Sequence, residues 1–544
     1  MKPPRFLLNE LALVGLSAIS AAAAPPVFNI RDHGAAGDGK ALDTAAINKA
    51  IDACSTSGGG QVLVPPGKYL TGTVQLKSNV TLCLDAGSEI VGTSDLDQYH
   101  NFNPPNSTPL ADRNRWHRAL VLGVNVENVT ITGRGIINGN KVFDARGEER
   151  MRGPHAILFG NSKNITLRDF SIKDAANYAV MLEFTSQVTA NSLTITGGWD
   201  GIHFRGWKDN PCRDVTITNC QFYTGDDCIA GWFWENTLIS NCIINSSCNG
   251  IRLIGPAKNL IIHDCLFFGP GRFEHRTSRD RHRTNMLAAL CLQPGAWDRT
   301  DGPLDDVRIS NITTHNVTTP LHLSVKSPNT AGTISVDRLT ATGSYFTAAS
   351  IESWSDSAIQ RVMLRDVSLE FTGGGTAQQA AITVKSPPVD ARALPCWGLY
   401  ARNVKTLDLQ NVRMTLTRDD ARPAMICENV ANLGLDHFRI PAGPLVLNRV
   451  QDLQLTDTPL PLARARCTDL KFASNPLSAS AIVEDGAVGG LTKLELVLPT
   501  KSLTRWIYLR PGQPLEVPFT DLPTLPPGKH PVRCGQITRE LIVE

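Results

Sequence analysis

The sequence has 544 residues, and its 53 Lys and Arg against 51 Asp and Glu give a formal net charge of +2 at pH 7. A net charge this close to zero gives no reason to expect nucleic acid or a membrane surface as a partner. With 44 Gly, 34 Pro, 6 % aromatic and 19 % charged residues, the composition favours a turn-rich β protein over a helical one.

The first 24 residues have the features of a secretory signal peptide. Lys2 and Arg5 supply positive charge, residues 11–19 are apolar, and residues 21–24 are alanines suited to cleavage. The apolar stretch is too short to cross a bilayer. We therefore expect residues 1–24 to be removed and the protein to be secreted, to the periplasm or outside the cell.

An amphipathic helix is predicted ahead of a long β region. Asp43 is placed to cap this helix, and three glycines from residue 58 onward end it. Its apolar residues recur at helical spacing: Ile47, Ala50, Ile51 and Cys54. A single helix in this position would cover the unpaired edge of the first strands, so we predict an N-terminal capping helix.

From residue 79 to about residue 452 one pattern recurs, a turn residue followed by alternating β-branched residues. Its spacing is roughly 22 to 28 residues, or near twice that value. The clearest copies begin at Asn79, Asn128, Asn164, Asp214 and Asn259. The dense leucine frame of leucine-rich repeats is missing. The pattern predicts an all-β fold, a parallel β-helix over residues 25–455, which the crossover rule makes right-handed.

The C-terminal region differs, because the pattern fades and Pro becomes frequent after residue 460. Strand-like runs at residues 494–498 and 505–509 predict a small accessory β-sandwich-like domain over residues 460–544. Among 13 cysteines, Cys220, Cys242 and Cys265 recur at the repeat length, which predicts an internal ladder of thiols. No pair has Cys-x-x-Cys spacing, so the sequence does not indicate a zinc site.

Three carboxylates come from consecutive repeats. Asp200 precedes Asp226 and Asp227 by about one repeat, and Asn249 and Arg252 follow after another. Residues one turn of a β-helix apart lie about 4.8 Å from each other. We therefore expect these three aspartates to meet. Such neighbours raise one another's proton affinity, so one carboxyl group can stay protonated near neutral pH, as hydrolysis of a glycosidic bond requires.

Together with Gly37-Asp38-Gly39 and the run at residues 133–139, these segments resemble glycoside hydrolase family 28, the polygalacturonase group of the pectin-lyase-like β-helices. The resemblance covers about residues 28 to 450. It implies that Asp226 is the general acid and that Asp200 and Asp227 position the attacking water, without a cofactor or a metal. This is the inverting arrangement, for which an acid–base gap of about 6.5 to 9.5 Å is expected.

Three motifs of that family are altered here, the first being Asn-Thr-Asp, in which Gly198-Trp199 replaces Asn-Thr before Asp200. Asn249 stands where the family has the histidine of Gly-His-Gly, and the Arg-Ile-Lys strand falls within residues 288–297, which contain no basic residue before the chain reaches Trp297. The resemblance implies that those basic residues hold a galacturonate carboxylate. We therefore expect a pectic or related polysaccharide or oligosaccharide as substrate. The basic run at residues 271–283 either replaces the missing cations or is a solvated surface loop.

The same and neighbouring turns offer candidates for binding a sugar. Arginine can bind a carboxylate bidentately, and flat aromatic faces suit sugar rings. The predicted substrate-binding residues are His203, Arg205, Trp232, Asn249, Arg252, Gln293 and Trp297. Each could instead be a surface or packing residue. We expect a monomer, and long loops such as residues 101–118 favour exo action on chain ends.

Other functions compete with hydrolysis. Gly225-Asp226-Asp227 could be a simple polar turn, and clustered carboxylates also suit calcium. A polysaccharide lyase on the same fold would need calcium and a basic residue, and it would release an unsaturated product. A non-catalytic carbohydrate-binding β-helix would release no reducing ends. The presence of all three aspartates favours hydrolysis.

Overall fold

The structure is a computed structural model that describes residues 25–102, 117–275, 282–441, 443–474, 476–484 and 489–543. The predicted signal peptide at residues 1–24 lies outside the described residues. Thirty-five strands form one sheet in which every pairing is parallel, and this sheet coils into three stacks. The chain is therefore a right-handed parallel β-helix, and the predicted fold class is confirmed.

Each stack pairs one strand, or one segment of a long strand, from every turn. Stack 1 consists of Val74–Gln75, Ala119–Val124, His155–Gly160, Val180–Glu183, Ile202–Arg205, Ile229–Trp232, Asn249–Leu253, Ala288–Leu292, Leu321–Lys326, Ala349–Trp354, the starts of Leu399–Leu416 and Met425–Asp436, and Leu445–Asn448.

Stack 2 lies next along each turn. It consists of Val27–Asn29, Gly60–Val64, Val80–Leu84, Glu127–Gly133, Lys163–Arg168, Ser186–Asn191, Cys212–Thr218, Trp234–Ser240, the first parts of Ala257–Phe268, Pro303–His315, Thr333–Ser344 and Ile359–Phe371, the middle of Leu399–Leu416, the end of Met425–Asp436, and Asp452–Thr456.

Stack 3 completes the turn. It consists of Asp38–Leu42, Gly67–Thr71, Ser88–Gly92, Ile136–Asn138, Ser171–Lys173, Thr194–Thr196, Gln221–Thr224, Ile243–Ser246 and the last parts of the long strands from Ala257–Phe268 to Leu399–Leu416. The short strand Thr330–Ala331 pairs with the start of Pro303–His315.

The interior is built by columns of identical or similar side chains. Ile217, Ile239 and Ile262 take the same position on three successive turns of stack 2, and each is buried. Their strand neighbours point the other way because successive side chains alternate across a strand. Since each turn buries only its inward side chains, the core forms by stacking turn upon turn.

Asparagines occupy the corners that lead into stack 2. Asn79, Asn128 and Asn164 have φ values of 63°, 59° and 55°, in the left-handed region that asparagine tolerates better than other non-glycine residues. Their side chains form a ladder: Asn128 Nδ2 donates to Asn79 Oδ1 at 2.9 Å, and Asn164 Nδ2 donates to Asn128 Oδ1 at 2.7 Å. The turn residue of the repeat pattern thus has a structural cause.

The predicted capping helix is the α-helix Thr44–Thr56, which buries its four predicted apolar residues against the first turns. Asp43 occupies the predicted N-cap position, but its side chain makes no capping hydrogen bond. The Asp43 carboxylate instead accepts from the backbone N–H groups of Ala36 at 2.6 Å and Gly37 at 3.1 Å, because the turn before the helix presents both groups to it.

The remaining helices are short, and none in the described part of the chain is both long and apolar enough to span a membrane. One further α-helix covers Ala377–Ala380, and 3-10 helices cover Ile30–His33, Leu96–Gln98 and Glu148–Arg150. The predicted thiol ladder is present, with Cys220, Cys242 and Cys265 buried in register on three turns.

The C-terminal strands form two antiparallel sheets. One contains Arg466–Ser474, Leu477–Glu484 and Leu515–Phe519, and the other contains Gly490–Val497, Ser502–Leu509, Gly528–Cys534 and Ile537–Val543. The two sheets share a buried apolar cluster of their own, while Trp506 and Tyr508 pack against the core of the β-helix. The domain boundaries at residues 455 and 460 stay a prediction.

Because side chains of one strand alternate between the interior and the surface, we predict that neighbouring residues contribute unequally to the free energy of unfolding. Ile239→Ala should lower the free energy of unfolding by about 2–5 kcal/mol, because it leaves a cavity between two turns. Leu238→Ala, on the half-exposed outer face of the same strand, is the matched control and should cost clearly less. Urea unfolding of the full chain measures both. Equal losses would contradict the assigned alternation.

Candidate active site

The three carboxylates meet at the edge of stack 1. Ile202 pairs with Ile229 and Ile229 pairs with Ile251, so Asp200, Asp227 and Asn249 take one position on three successive turns. Asp226 lies beside Asp227. One carboxylate oxygen from each aspartate lies within 4.8 Å of the others, and all three residues are buried.

This spacing corrects one expectation. One oxygen from each carboxylate lies within 4.8 Å of the others, which is closer than the gap of about 6.5 to 9.5 Å expected for inversion. The reason is the fold itself, since residues on adjoining turns are held about 4.8 Å apart by strand pairing. Asp226 is the direct chain neighbour of Asp227, so it cannot move far from the column either.

Asp227 is held by the next turn. Its Oδ1 accepts from the backbone N–H and the side-chain amide of Asn249, both at 2.9 Å, and Arg252 Nη1 lies 3.4 Å from its Oδ2. Burial raises the pKa of Asp227, Arg252 opposes that rise, and the charge of Asp226 adds to it. Asn249 therefore orients a carboxylate.

Asp226 is paired with a cation that sequence reasoning missed. Arg152 Nη2 donates to Asp226 Oδ2 at 3.0 Å, and the same buried guanidinium lies 3.5 Å from Glu148 and from Glu149. Burial alone would raise the pKa of Asp226, but His275, Arg152 and further cations hold it below its usual range. Asp226 is thus ionised.

Asp200 has a different environment. Its Oδ2 lies 2.7 Å from His203 Nδ1, and the His203 ring stacks on Tyr178 with centroids 4.2 Å apart and planes 9° apart. Burial raises the pKa of Asp200 well above its ordinary value, and the charges of Asp226 and Asp227 add to the rise. Burial lowers the pKa of His203, so its ring is neutral. Asp200 is therefore the carboxyl group that holds a proton.

These residues line a cleft with a volume of about 310 Å³. Four of the predicted substrate-binding residues line it: His203, Trp232, Arg252 and Trp297. Trp297 is 53 % exposed, and its ring lies 5.6 Å from the Arg252 guanidinium carbon. Trp297 thus offers an exposed aromatic face in this cleft, whereas His203 and Arg252 line it but are almost fully buried.

The other three predicted binding residues are not among those that line the cleft. Asn249 and Gln293 are fully buried, and Arg205 is 1 % exposed, with its guanidinium 5.3 Å from the ring of Trp232. Outward strand positions reach solvent only where no side chain or loop covers them. Trp232 covers Arg205, and the sequence alone did not reveal this.

Two of the missed residues had a signal in the sequence. Val180 pairs with Ile202, so Tyr178 shares the column of Asp200 and could have been found by counting back along the repeat. Cys248 likewise takes the position of Asp226 one turn later. Arg152 has no such signal, because it belongs to a connection between strands Ile136–Asn138 and His155–Gly160.

The basic run at residues 271–283 reaches the cleft at both described ends. His275 and Arg283 line it, and Arg283 Nη2 lies 3.1 Å from Cys248 Sγ. Residues 276–281 lie outside the described part of the chain, as do residues 103–116 of the loop on which exo action was expected. Of the two interpretations of this run, the described ends favour the replacement cations.

The site is therefore a carboxylate cluster in a cleft along one stack of a parallel β-helix. Residues 27–252 match the family described as rhamnogalacturonase A/epimerase, pectate lyase-like. A probable polygalacturonase of Vitis vinifera is 28 % identical over 218 residues, which cover 37 % of this chain and 44 % of that protein. An exo-poly-α-D-galacturonosidase of Dickeya chrysanthemi is 28 % identical over 264 residues, covering 38 % and 42 %.

The matched part of this chain thus spans less than half the length of those two relatives. Among solved structures, an exopolygalacturonase of Thermotoga maritima gives a TM-score of 0.51 at 17 % identity, covering 72 % of this chain and 93 % of that one. The surface protein and adhesin PfbA of Streptococcus pneumoniae gives 0.50 at 17 % identity, covering 74 % and 100 %. These comparisons support a polygalacturonase-like protein of the pectin-lyase fold.

The raised pKa of Asp200 predicts a pH-dependent cost to stability. The folded state binds a proton that the unfolded chain releases near pH 3.8, so stability falls as the pH rises from there toward the raised pKa. Asp200→Asn removes this loss, so the stability of the variant relative to wild type should increase as the pH rises from 4 to 7.

Unfolding free energies of both proteins between pH 4 and pH 7 test this, with the exposed Asp419→Asn as the control. A wild-type stability that rises relative to Asp200→Asn over this range would contradict the assignment.

Proposed function

We propose that the protein is a polygalacturonase-like glycoside hydrolase that cleaves a pectic polysaccharide or oligosaccharide. The observation that carries the proposal is the cluster of Asp200, Asp226 and Asp227 within 4.8 Å of one another in an open cleft. It lies within residues 27–252, which match the family described as rhamnogalacturonase A/epimerase, pectate lyase-like. One protonated and one ionised carboxyl group is the combination that glycoside hydrolysis needs.

The acid role that the resemblance gives to Asp226 requires a proton to reach it. Asp200 holds one, with a carboxyl oxygen within 4.8 Å of Asp226, and the Arg152 ion pair keeps Asp226 ionised until substrate arrives. A uronate carboxylate competes with Asp226 for the Arg152 guanidinium. Once that pair weakens, the pKa of Asp226 rises, and Asp226 can take the proton and deliver it to the leaving oxygen.

Basic side chains in the cleft support an acidic sugar as substrate, although six carboxyl groups also line it: Glu148, Glu149, Asp200, Asp226, Asp227 and Asp390. Arg152, Arg252, Arg283 and His275 all line it, although the Arg-Ile-Lys motif is absent. Arg252 pairs in register with Cys291, so it lies one turn before the strand where the family's basic residues are expected. Trp232 and Trp297 offer ring faces for stacking on a sugar.

The stereochemical outcome is part of the same proposal. The resemblance supports inversion, whereas the short separation of the carboxylates is nearer to the spacing of retaining enzymes. The anomer of the first product, followed by proton NMR, decides between them. We also propose exo action, a monomeric state and secretion. The proposed secretion rests on the signal-like residues 1–24.

Asp226→Asn tests the acid role. Activity on a panel of pectic fragments should fall about 10²–10⁴-fold in kcat/KM, because the amide cannot donate the proton. Release of reducing ends is the measurement, and Asp366→Asn on another face of the β-helix is the control.

A product that absorbs in the ultraviolet and disappears with a chelator would replace hydrolysis by a lyase reaction. Equal activity of wild type and Asp226→Asn would remove the acid assignment.

Arg252→Gln tests the recognition of a carboxylate. The KM for de-esterified galacturonan fragments should rise about tenfold or more, because a charge-assisted bond of about 1.5–3 kcal/mol is lost. Methyl-esterified fragments of equal length should be affected less. Arg213→Gln, an exposed arginine on stack 2, should change neither value. An equal rise in KM for both substrates would show that Arg252 does not bind the substrate carboxylate.

One observation favours a second candidate, a non-catalytic carbohydrate-binding β-helix. The histidine of the family motif is replaced by Asn249, whose amide cannot transfer a proton. This candidate predicts that pectic fragments bind without release of reducing ends and that Asp226→Asn leaves their affinity unchanged. Calorimetry on the same fragment panel separates it from the hydrolase.

A further inference from the structure

A second cluster of side chains lies beside the three carboxylates. One ligand atom each of Asp226, Cys248 and His275 lies within 4.8 Å of the other two, and all three residues are buried. Asp226 and Cys248 take the same position on successive turns. His275 comes from the start of the basic run, where its backbone N–H donates to the Arg283 carbonyl at 2.9 Å.

The three side chains are a carboxylate, a thiol and an imidazole, which together form a donor set typical of zinc. Calcium and magnesium prefer oxygen ligands and would not select the thiol. No sequence motif indicates this set, because its members come from two turns and a loop.

One group points to a ligand at this place. The His275 residue is 5 % exposed, and within the described ranges its Nδ1 has no hydrogen-bond partner. Cys248 Sγ lies 3.1 Å from Arg283 Nη2 and 3.4 Å from Asn249 Nδ2. Burial raises the pKa of the Cys248 thiol well above its ordinary value, so a bound metal ion has to displace the thiol proton.

We propose that Asp226, Cys248 and His275 form a binding site for a thiophilic divalent cation of the zinc class, and that this ion inhibits hydrolysis. Three protein ligands leave one coordination position open to water. Binding releases the thiol proton, so it should strengthen as the pH rises. The inhibitory part rests on the proposed function, because the ion would occupy the carboxylate of Asp226, which hydrolysis requires.

Binding is tested without reference to activity. The full chain is titrated with Zn²⁺ by calorimetry and with Co²⁺ by absorption spectroscopy. We expect a site whose affinity falls at least ~10-fold in Cys248→Ser and in His275→Gln. The absorption band of a cobalt–thiolate bond should be absent in Cys248→Ser. Cys83→Ser and His263→Gln, which lie on other strands away from the cluster, are the matched controls.

Zinc affinity equal in all four variants, or a cobalt spectrum without a thiolate band, would overturn the proposed site. If Cys248→Ser does not fold, His275→Gln decides alone, because His275 belongs to a connection outside the strands of the β-helix. Zinc that binds but leaves the release of reducing ends unchanged would overturn the inhibition only. A chain that never releases reducing ends would overturn the proposed hydrolase and leave the binding result standing.

Discussion

The register of parallel strand pairing is the constraint on which the rest of the structure depends. Successive turns differ in length, but their strands stay in register because each turn must fill the same interior positions. Ile217, Ile239 and Ile262 occupy one such position on three turns. Residues on the surface of successive turns are in register for the same reason. Asp200, Asp227 and Asn249 therefore share a column although the connections between them differ in length.

The same constraint creates an electrostatic problem and limits its solutions. Carboxylates on adjoining turns cannot move apart, so their repulsion must be relieved by protonation or by cations. Asp200 retains a proton beside a neutral His203, whereas Asp226 and Asp227 are paired with Arg152 and Arg252. Burial raises the cost of any other arrangement. The distribution of protons in the cleft thus follows from its geometry.

The sequence predicted what repeats and failed where the chain departs from its repeat. The period and the corner asparagines indicated the β-helix, and equivalent positions brought Asp200 to Asp226 and Asp227. Arg152 and His275 reach the cleft from connections, whose paths depend on long-range packing that no local pattern encodes. For the same reason, the burial of Arg205 and Gln293 was not predicted, because alternation gives the direction of a side chain and not what covers it.

A motif that is missing from one turn need not be missing from the site. The strand Ala288–Leu292 has no basic residue, yet Arg252 lies directly beside Cys291 of that strand, one turn away. Adjoining turns are about 4.8 Å apart, and an arginine side chain is long enough to span that distance. Arg283 and Arg152 enter the same cleft from connections. The positive charge of the cleft therefore comes both from residues on adjoining turns and from residues in the connections. The loss of basic residues from one strand does not by itself remove every side chain that could bind an acidic sugar.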